Sequence, residues 1–518
     1  MKFLDETGLQ YFWKKIASFI DGVTSTSLVN SKKNRIEEFY TNLHKINRGK
    51  YVNNSSFSWP VGNRAGANKS LPSLTTGGST YDLLTFLCLS DTHASKYYKY
   101  SFDKPEEFQN STFGLDAIQE AIDVAKYGLN KKGTSSKVVN TGKIAGIIHC
   151  GDMCSGSDGR SNKDNTLETR AAIVEMAQEI YKQVPFICVL GNHDSNSVNS
   201  AGSGITRAED DETIYNPLFD TLISEGFDNQ NLSKITKLYT GCYDFKYKVT
   251  VKRGTFYVHV ITLNSNDIPM PGGNNSEKDS LHKQFISKEQ INAIVTALTG
   301  LGSTDRVILV SHAPITSYTN SNTHGTEKFD ISYVGDTSTF KDAYIASTPD
   351  YVLNPVDSTG VVYNVLYQLL YDFNNSAAST ISVKTYNSEG TLQTSNIGWD
   401  FRNKTKKRFL FGLSGHLHAK NLLLMGIESD KTTEMYNINL SSSGGSLGSM
   451  DSNVPNVYGN NPYNFVSVSI DLQNKRLYLV DYNNNLKISN DASGLIAKGE
   501  SNNINNKITM YDFGDLWS

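Results

Sequence analysis

Six short apolar runs stop abruptly: Leu83 to Leu89, Ile144 to His149, Phe186 to Leu190, Phe256 to Leu263, Val307 to Ser311 and Phe409 to Leu413. Five of them stop at residues able to bind a metal ion, namely Asp91-Thr92-His93, Gly151-Asp152, Gly191-Asn192-His193-Asp194, Ser311-His312 and Gly415-His416-Leu417-His418. Short apolar runs of this kind predict β-strands. Helical periodicity fits residues 115 to 127, 168 to 183 and 287 to 299, the last opening on a Ser287-x-x-Gln290 capping box. Strands alternating with helices predict an α/β architecture. In such folds the groups that follow the carboxyl ends of the strands face one crevice, so the five motifs are expected to form one site.

Accident is a poor explanation for the pattern. A shuffled chain of this composition, with 40 Gly and 10 His in 518 residues, would contain only ~0.015 Gly-His-x-His motifs. Five of the ten histidines fall in the five motifs. Carboxylate, imidazole and amide oxygen together make a donor set suited to Mn, Fe or Zn, whereas a thiolate-rich zinc site would use Cys. The five cysteines (Cys88, Cys150, Cys154, Cys188, Cys242) are odd in number and scattered, and most lie in apolar runs, so they are expected to be reduced core thiols.

At 518 residues the chain is long enough for two to four structural units, by a prior of about 150 residues each. Its 49 basic and 52 acidic residues give a formal charge of -3, so no overall basic field favours nucleic acid as a partner. No apolar stretch approaches the ~18 to 20 residues that span a bilayer. Asp5, Glu6, Lys14 and Lys15 interrupt the apolar residues near the N-terminus, so a signal peptide is not expected and a cytoplasmic or virion-associated setting is.

Residues 1–75 read as a helical arm and linker, with Leu9, Phe12, Trp13, Ile16 and Phe19 on one helix face. Residues 76–482 read as the main domain, with a weakly patterned insertion at 313–408 that includes a helix around Val362 to Phe373. A hairpin is expected from Phe465 to Tyr482, turning at Gln473-Asn474, followed by an Asn-rich tail at 483–518. Gly62 to Ser70 hints at a phosphate loop, but Asn68 stands where that loop needs Gly. Arg160, Lys163 and Arg207 follow metal motifs and are weighed as phosphate clamps against solvated loop charges.

The five blocks, in this order, resemble the calcineurin-like metallophosphoesterase superfamily over roughly residues 82 to 420, and more weakly to about 482. The resemblance implies two packed mixed β-sheets flanked by helices. It also implies phosphate monoester or diester hydrolysis by a dinuclear metal centre with a bridging hydroxide nucleophile. Asp91, His93 and His418 would hold one ion, Asn192, His312 and His416 the other, and Asp152 would bridge them. His193 would protonate the leaving oxygen, and Asp194 would orient His193. Protein Ser/Thr phosphatases of the superfamily follow Gly-Asp with Asp-Arg-Gly, and purple acid phosphatases carry a ligand Tyr three residues after the bridging Asp. Met153-Cys154-Ser155-Gly156 matches neither. The rivals are a nuclease of the same superfamily and a virion structural or host-binding protein that keeps the fold. The second would be favoured by a missing ligand, and none is missing.

Leu4-Asp5, Gly8-Leu9 and Phe12-Trp13-Lys14-Lys15-Ile16 resemble a leader of phage and prophage tail-associated proteins. With an apolar stripe that must be covered, this leader makes the arm a candidate for self-association or virion docking.

Overall fold

The structure, a computed structural model, describes residues 83–94, 144–154, 163–194, 207–265, 286–315, 365–386, 392–416, 421–425, 435–440, 465–482 and 508–518. It also describes residues 205, 442 and 443 and scattered positions between 115 and 139. The arm and its leader, Arg160, residues 316–364 of the insertion and His418 lie outside the described residues.

Two large mixed sheets, flanked by helices, form the α/β fold. The first has strands β1 (Leu84–Leu89), β4 (Ile144–His149) and β5 (Phe186–Cys188) in parallel. It continues from β1 through antiparallel β15 (Phe465–Asp471), β16 (Arg476–Tyr482) and β17 (Ile508–Asp512). A small separate ribbon pairs β2 (Leu129–Asn130) with β3 (Lys137–Val139).

The second sheet is built on parallel β8 (Gly254–Thr262), β9 (Asp305–Val310), β12 (Phe409–Ser414) and β14 (Tyr436–Asn439). Antiparallel β7 (Cys242–Val251) and β6 (Leu232–Tyr239) extend it past β8, and β13 (Asn421–Leu424) closes the other edge. β1, β4, β9 and β12 are buried at every position, which is why their sequences are mostly apolar, with Asp305 and Arg306 at the start of β9 as the charged exceptions.

The helices are α1 (Lys163–Gln178), α3 (Lys288–Thr299), α4 (Val365–Asn375) and a composite α2. In α2, Arg207–Asp210, Asp211–Asp220 and Thr221–Glu225 run on as one helix whose middle ten residues have π geometry. Helices α3 and α4 place Ile294, Leu298, Leu369 and Phe373 against Leu309 and Phe409 of the second sheet. Ser287 caps α3 by accepting the Gln290 N–H at 3.2 Å. The Gln290 side chain bonds the backbone of Asn264 instead of closing a capping box.

Between the sheets, Phe86 of β1 meets Tyr247 of β7 edge to face at 5.2 Å. The C-terminal segment joins them a second time. After β17 in the first sheet, Phe513 and Trp517 stack at 4.3 Å. Trp517 lies 6.5 Å from Phe411 of β12 in the second sheet and donates its indole N–H to Leu410 O at 3.1 Å. Residues 508–512, read from sequence as tail, are therefore an edge strand. The insertion likewise contains, beside α4, the hairpin of β10 (Ala378–Tyr386) and β11 (Leu392–Asp400). None of the described helices is long and apolar enough to cross a membrane.

Trp517 is 2 % exposed and serves as the pin between the sheets. Trp517→Ala should therefore cost about 3–5 kcal/mol and lower the urea midpoint clearly. An unchanged midpoint would show that the segment after β17 does not hold the sheets together.

Candidate metal centre

All five predicted motifs stand just beyond the carboxyl ends of parallel strands: Asp91 after β1, Asp152 after β4, Asn192 after β5, His312 after β9 and His416 after β12. Three come from the first sheet and two from the second, so the site is formed where the two sheets end together. The chain leaves the strands by unusual turns. Asp91 (φ 50°), His93 (φ 45°), Asp152 (φ 51°) and His416 (φ 68°) are all left-handed, a conformation that costs a non-glycine residue ~1–3 kcal/mol. Backbone bonds hold the turns in place: Asp91 N–H to Gly151 O at 3.0 Å, His93 N–H to Asp152 O at 2.9 Å and Gly415 N–H to His312 O at 2.8 Å.

Two of the motif glycines are required by close approach. A Cβ at Gly191 would run into the Asp152 carboxylate and backbone N, and one at Gly415 would collide with Ser90 Oγ and the Asp91 carboxylate. The Gly-Asn-His-Asp and Gly-His-x-His patterns thus mark places where a chain passes directly over another motif's carboxylate.

Around His312 the donor atoms converge. Its Nε2 lies 3.0 Å from Asn192 Oδ1, 3.2 Å from Asp152 Oδ2 and 3.1 Å from His416 Nδ1. Its Nδ1 is 2.8 Å from Cys150 O, a carbonyl that can only accept, so Nδ1 carries a proton and Nε2 is the atom turned to the cluster. Burial lowers the affinity of His312 for a second proton, but the Asp152 carboxylate outweighs it and pushes the imidazole up to about 9. Burial likewise raises Asp152, yet His312, His193 and His93 together hold its carboxyl well below the usual range. An anionic oxygen, two imidazole nitrogens and an amide oxygen around one point are a donor set for a divalent ion, which would take the place of that proton.

On the other side of Asp152, His93 Nε2 and His193 Nε2 lie 4.0 and 3.9 Å from Oδ2, their rings edge to face at 4.6 Å. His93, Asp152 and His193 can together hold one ion, and Asp152, His312 and His416 another. Asp91 is fully buried beside this cluster and accepts the His416 N–H at 3.0 Å and the Ser90 hydroxyl at 2.5 Å.

The carboxylate of Asp194 accepts backbone N–H groups from Gly191 (2.8 Å), Met153 (3.2 Å) and Cys154 (2.7 Å), so it laces two motifs together. Burial and the Asp152 charge raise it to about 6, against the Arg170 charge and those N–H groups.

His149, read from sequence as a packed strand residue, is buried with its Nε2 3.0 Å from Thr92 Oγ1. Thr92 gives its own proton to Met153 O, so His149 Nε2 is the donor, and burial keeps the ring neutral by lowering it to about 3. Lys163 is ion-paired with Glu209 at 2.6 Å, which does not support a phosphate clamp. All five cysteines are buried thiols outside any disulfide, and burial raises the thiols of Cys88, Cys150, Cys154 and Cys188.

A model of the calcineurin-like phosphoesterase family matches residues 84–345, just over half of the chain. The chain belongs to this family. Calcineurin-like phosphoesterases hydrolyse phosphoesters with bound metal, and the His and Asp clusters here are suited to that. The family match stops before β12, yet β12 carries His416 into the same cluster as His312. No curated protein matches the chain.

Because a Cβ at Gly191 would strike the Asp152 backbone, Gly191→Ala should cost ~1–3 kcal/mol and lower bound metal. Gly300→Ala, where the Cβ meets nothing nearer than 3.4 Å, should stay within about 0.5 kcal/mol of wild type. Chemical denaturation with elemental analysis of both variants reads the difference; equal behaviour of the two would refute the close-approach argument.

Proposed function

We propose that this chain hydrolyses a phosphate monoester or diester at a centre of two transition-metal ions, Mn, Fe or Zn, with Asp152 shared between them. Asn192, His312 and His416 would hold one ion, and Asp91, His93 and His418 the other. The observation that carries this reading is the meeting of Asn192, Asp152 and His416 within 3.0–3.2 Å of one imidazole nitrogen of His312. When bound, such ions would draw charge from phosphoryl oxygens and make water nucleophilic near neutral pH.

The protein's own groups would do the rest. Cys150 O keeps the His312 tautomer, and the His193 N–H, 2.9 Å from Asp152 Oδ1, keeps that carboxylate turned inward. His193 is partly exposed, which suits it to give a proton to the leaving oxygen of a substrate entering from solvent.

A panel assay of Mn-loaded protein against model monoester, diester and single-stranded DNA substrates tests the reading and separates phosphatase, phosphodiesterase and nuclease. Asp152→Ala should abolish activity and lower bound metal, because both ions would lose a ligand. Active wild-type protein free of transition metal would contradict the proposal.

His193→Asn should lose ~10² to 10⁴-fold in rate on a poor leaving group, less on a nitrophenyl ester, and keep its metal. Loss of metal together with equal rate loss on both substrates would make His193 a ligand instead of an acid.

A further inference from the structure

Arg170 sits in the middle of α1 and is fully buried, where a guanidinium persists only with partners that repay its desolvation. It has three. Nη1 donates to Asp210 Oδ1 at 2.7 Å and to Thr213 Oγ1 at 3.1 Å, both on α2. Nη2 donates to the backbone oxygen of Asp194 at 2.8 Å. Burial alone would lower its proton affinity, but Asp210 more than compensates and Arg170 stays charged.

Asp194 ends the turn that begins at Gly191, and each of its polar groups is used to hold that turn. Its N–H bonds Gly191 O at 3.2 Å, its carboxylate bonds Gly191, Met153 and Cys154, and its carbonyl meets Arg170. Asn192, which meets His312 Nε2, and His193, which meets Asp152, lie between those anchors.

We infer that Arg170 is a positioning residue for the candidate metal centre: its fork ties α2 to the Gly191–Asp194 turn and fixes the direction in which Asn192 meets His312 and His193 meets Asp152. The inference rests on the metal-centre reading above. Geometry explains why the residue is an arginine. A planar fork sends its donors to a carboxylate and a carbonyl on different elements in fixed, separated directions, whereas the three donors of an ammonium share one freely rotating nitrogen and fix no such geometry. α2 in turn has reason to be a firm anchor: Tyr215 and Phe219 of its π segment pack on Tyr243 of β7 at 5.9 and 4.8 Å.

A buried ion pair can also be no more than a structural tie, so the test needs a local reading. Two variants serve: Arg170→Lys, which keeps the charge, and the double variant Arg170→Gln with Asp210→Asn, which leaves no lone buried charge. Amide hydrogen exchange in the metal-free proteins should be faster in peptides covering 189–194 and 151–154 and unchanged in β8. Calorimetric titration with Mn²⁺ should show affinity lower by about 10- to 100-fold, the usual effect of removing a group that supports metal ligands. On an active substrate, kcat should fall with KM little changed.

Folded variants with wild-type exchange in 189–194 and wild-type Mn²⁺ affinity would overturn the inference. So would failure of both variants to fold, which would make Arg170 a determinant of the fold as a whole. Wild-type protein that binds no Mn²⁺ would instead overturn the metal-centre reading, while the exchange data still decide whether Arg170 holds the turn.

Discussion

Everything around the site depends on keeping the buried carboxylate of Asp152 ionised between groups brought by two different sheets. His312 faces it from the second sheet, and His93 and His193 face it from the first. No single sheet could do this, because a sheet presents its strand ends along one edge. The fold therefore has to end both sheets at the same place, and the parallel strands β1, β4, β5, β9 and β12 all point their carboxyl ends there. Left-handed backbone at Asp91, His93, Asp152 and His416 is the strain accepted in return.

A second layer keeps that arrangement from relaxing. Cys150 O fixes one face of His312, Thr92 and His149 bind the loop after β1 to the loop after β4, and Asp194 with Arg170 closes the turn after β5. These groups touch backbone, one another or the outer nitrogen of His312, and not the Asp152 carboxylate. Their common effect is to take away conformations that would let Asn192, His193 or His312 turn from the centre.

How much of this was legible depended on local pattern. Strands buried on both faces appear as unbroken apolar runs, and for that reason β1, β4, β9 and β12 and the motifs after them could be placed from sequence. β7 (Cys242–Val251) has one face partly exposed and alternates polar with apolar residues, and half of β6 (Leu232–Tyr239) is polar, so neither stands out as an apolar run. β17 was hidden by the Asn-rich stretch before it. The part Asp194 plays in lacing the motifs together leaves no trace in the sequence, because its partners there are backbone N–H groups, which carry no residue signature. Arg170 was invisible for a similar reason: a lone arginine in a helix reads as solvated, and its partner Asp210 is 40 residues away.

The central claim is that the ends of two sheets build one metal centre around Asp152. Anomalous diffraction from crystals grown with Mn²⁺ tests it most directly. The account predicts two peaks about 3.5–4 Å apart on either side of the Asp152 carboxylate, one of them against His312 Nε2, Asn192 Oδ1 and His416 Nδ1. Well-ordered His312, Asn192 and His416 side chains with no anomalous peak among them would contradict it.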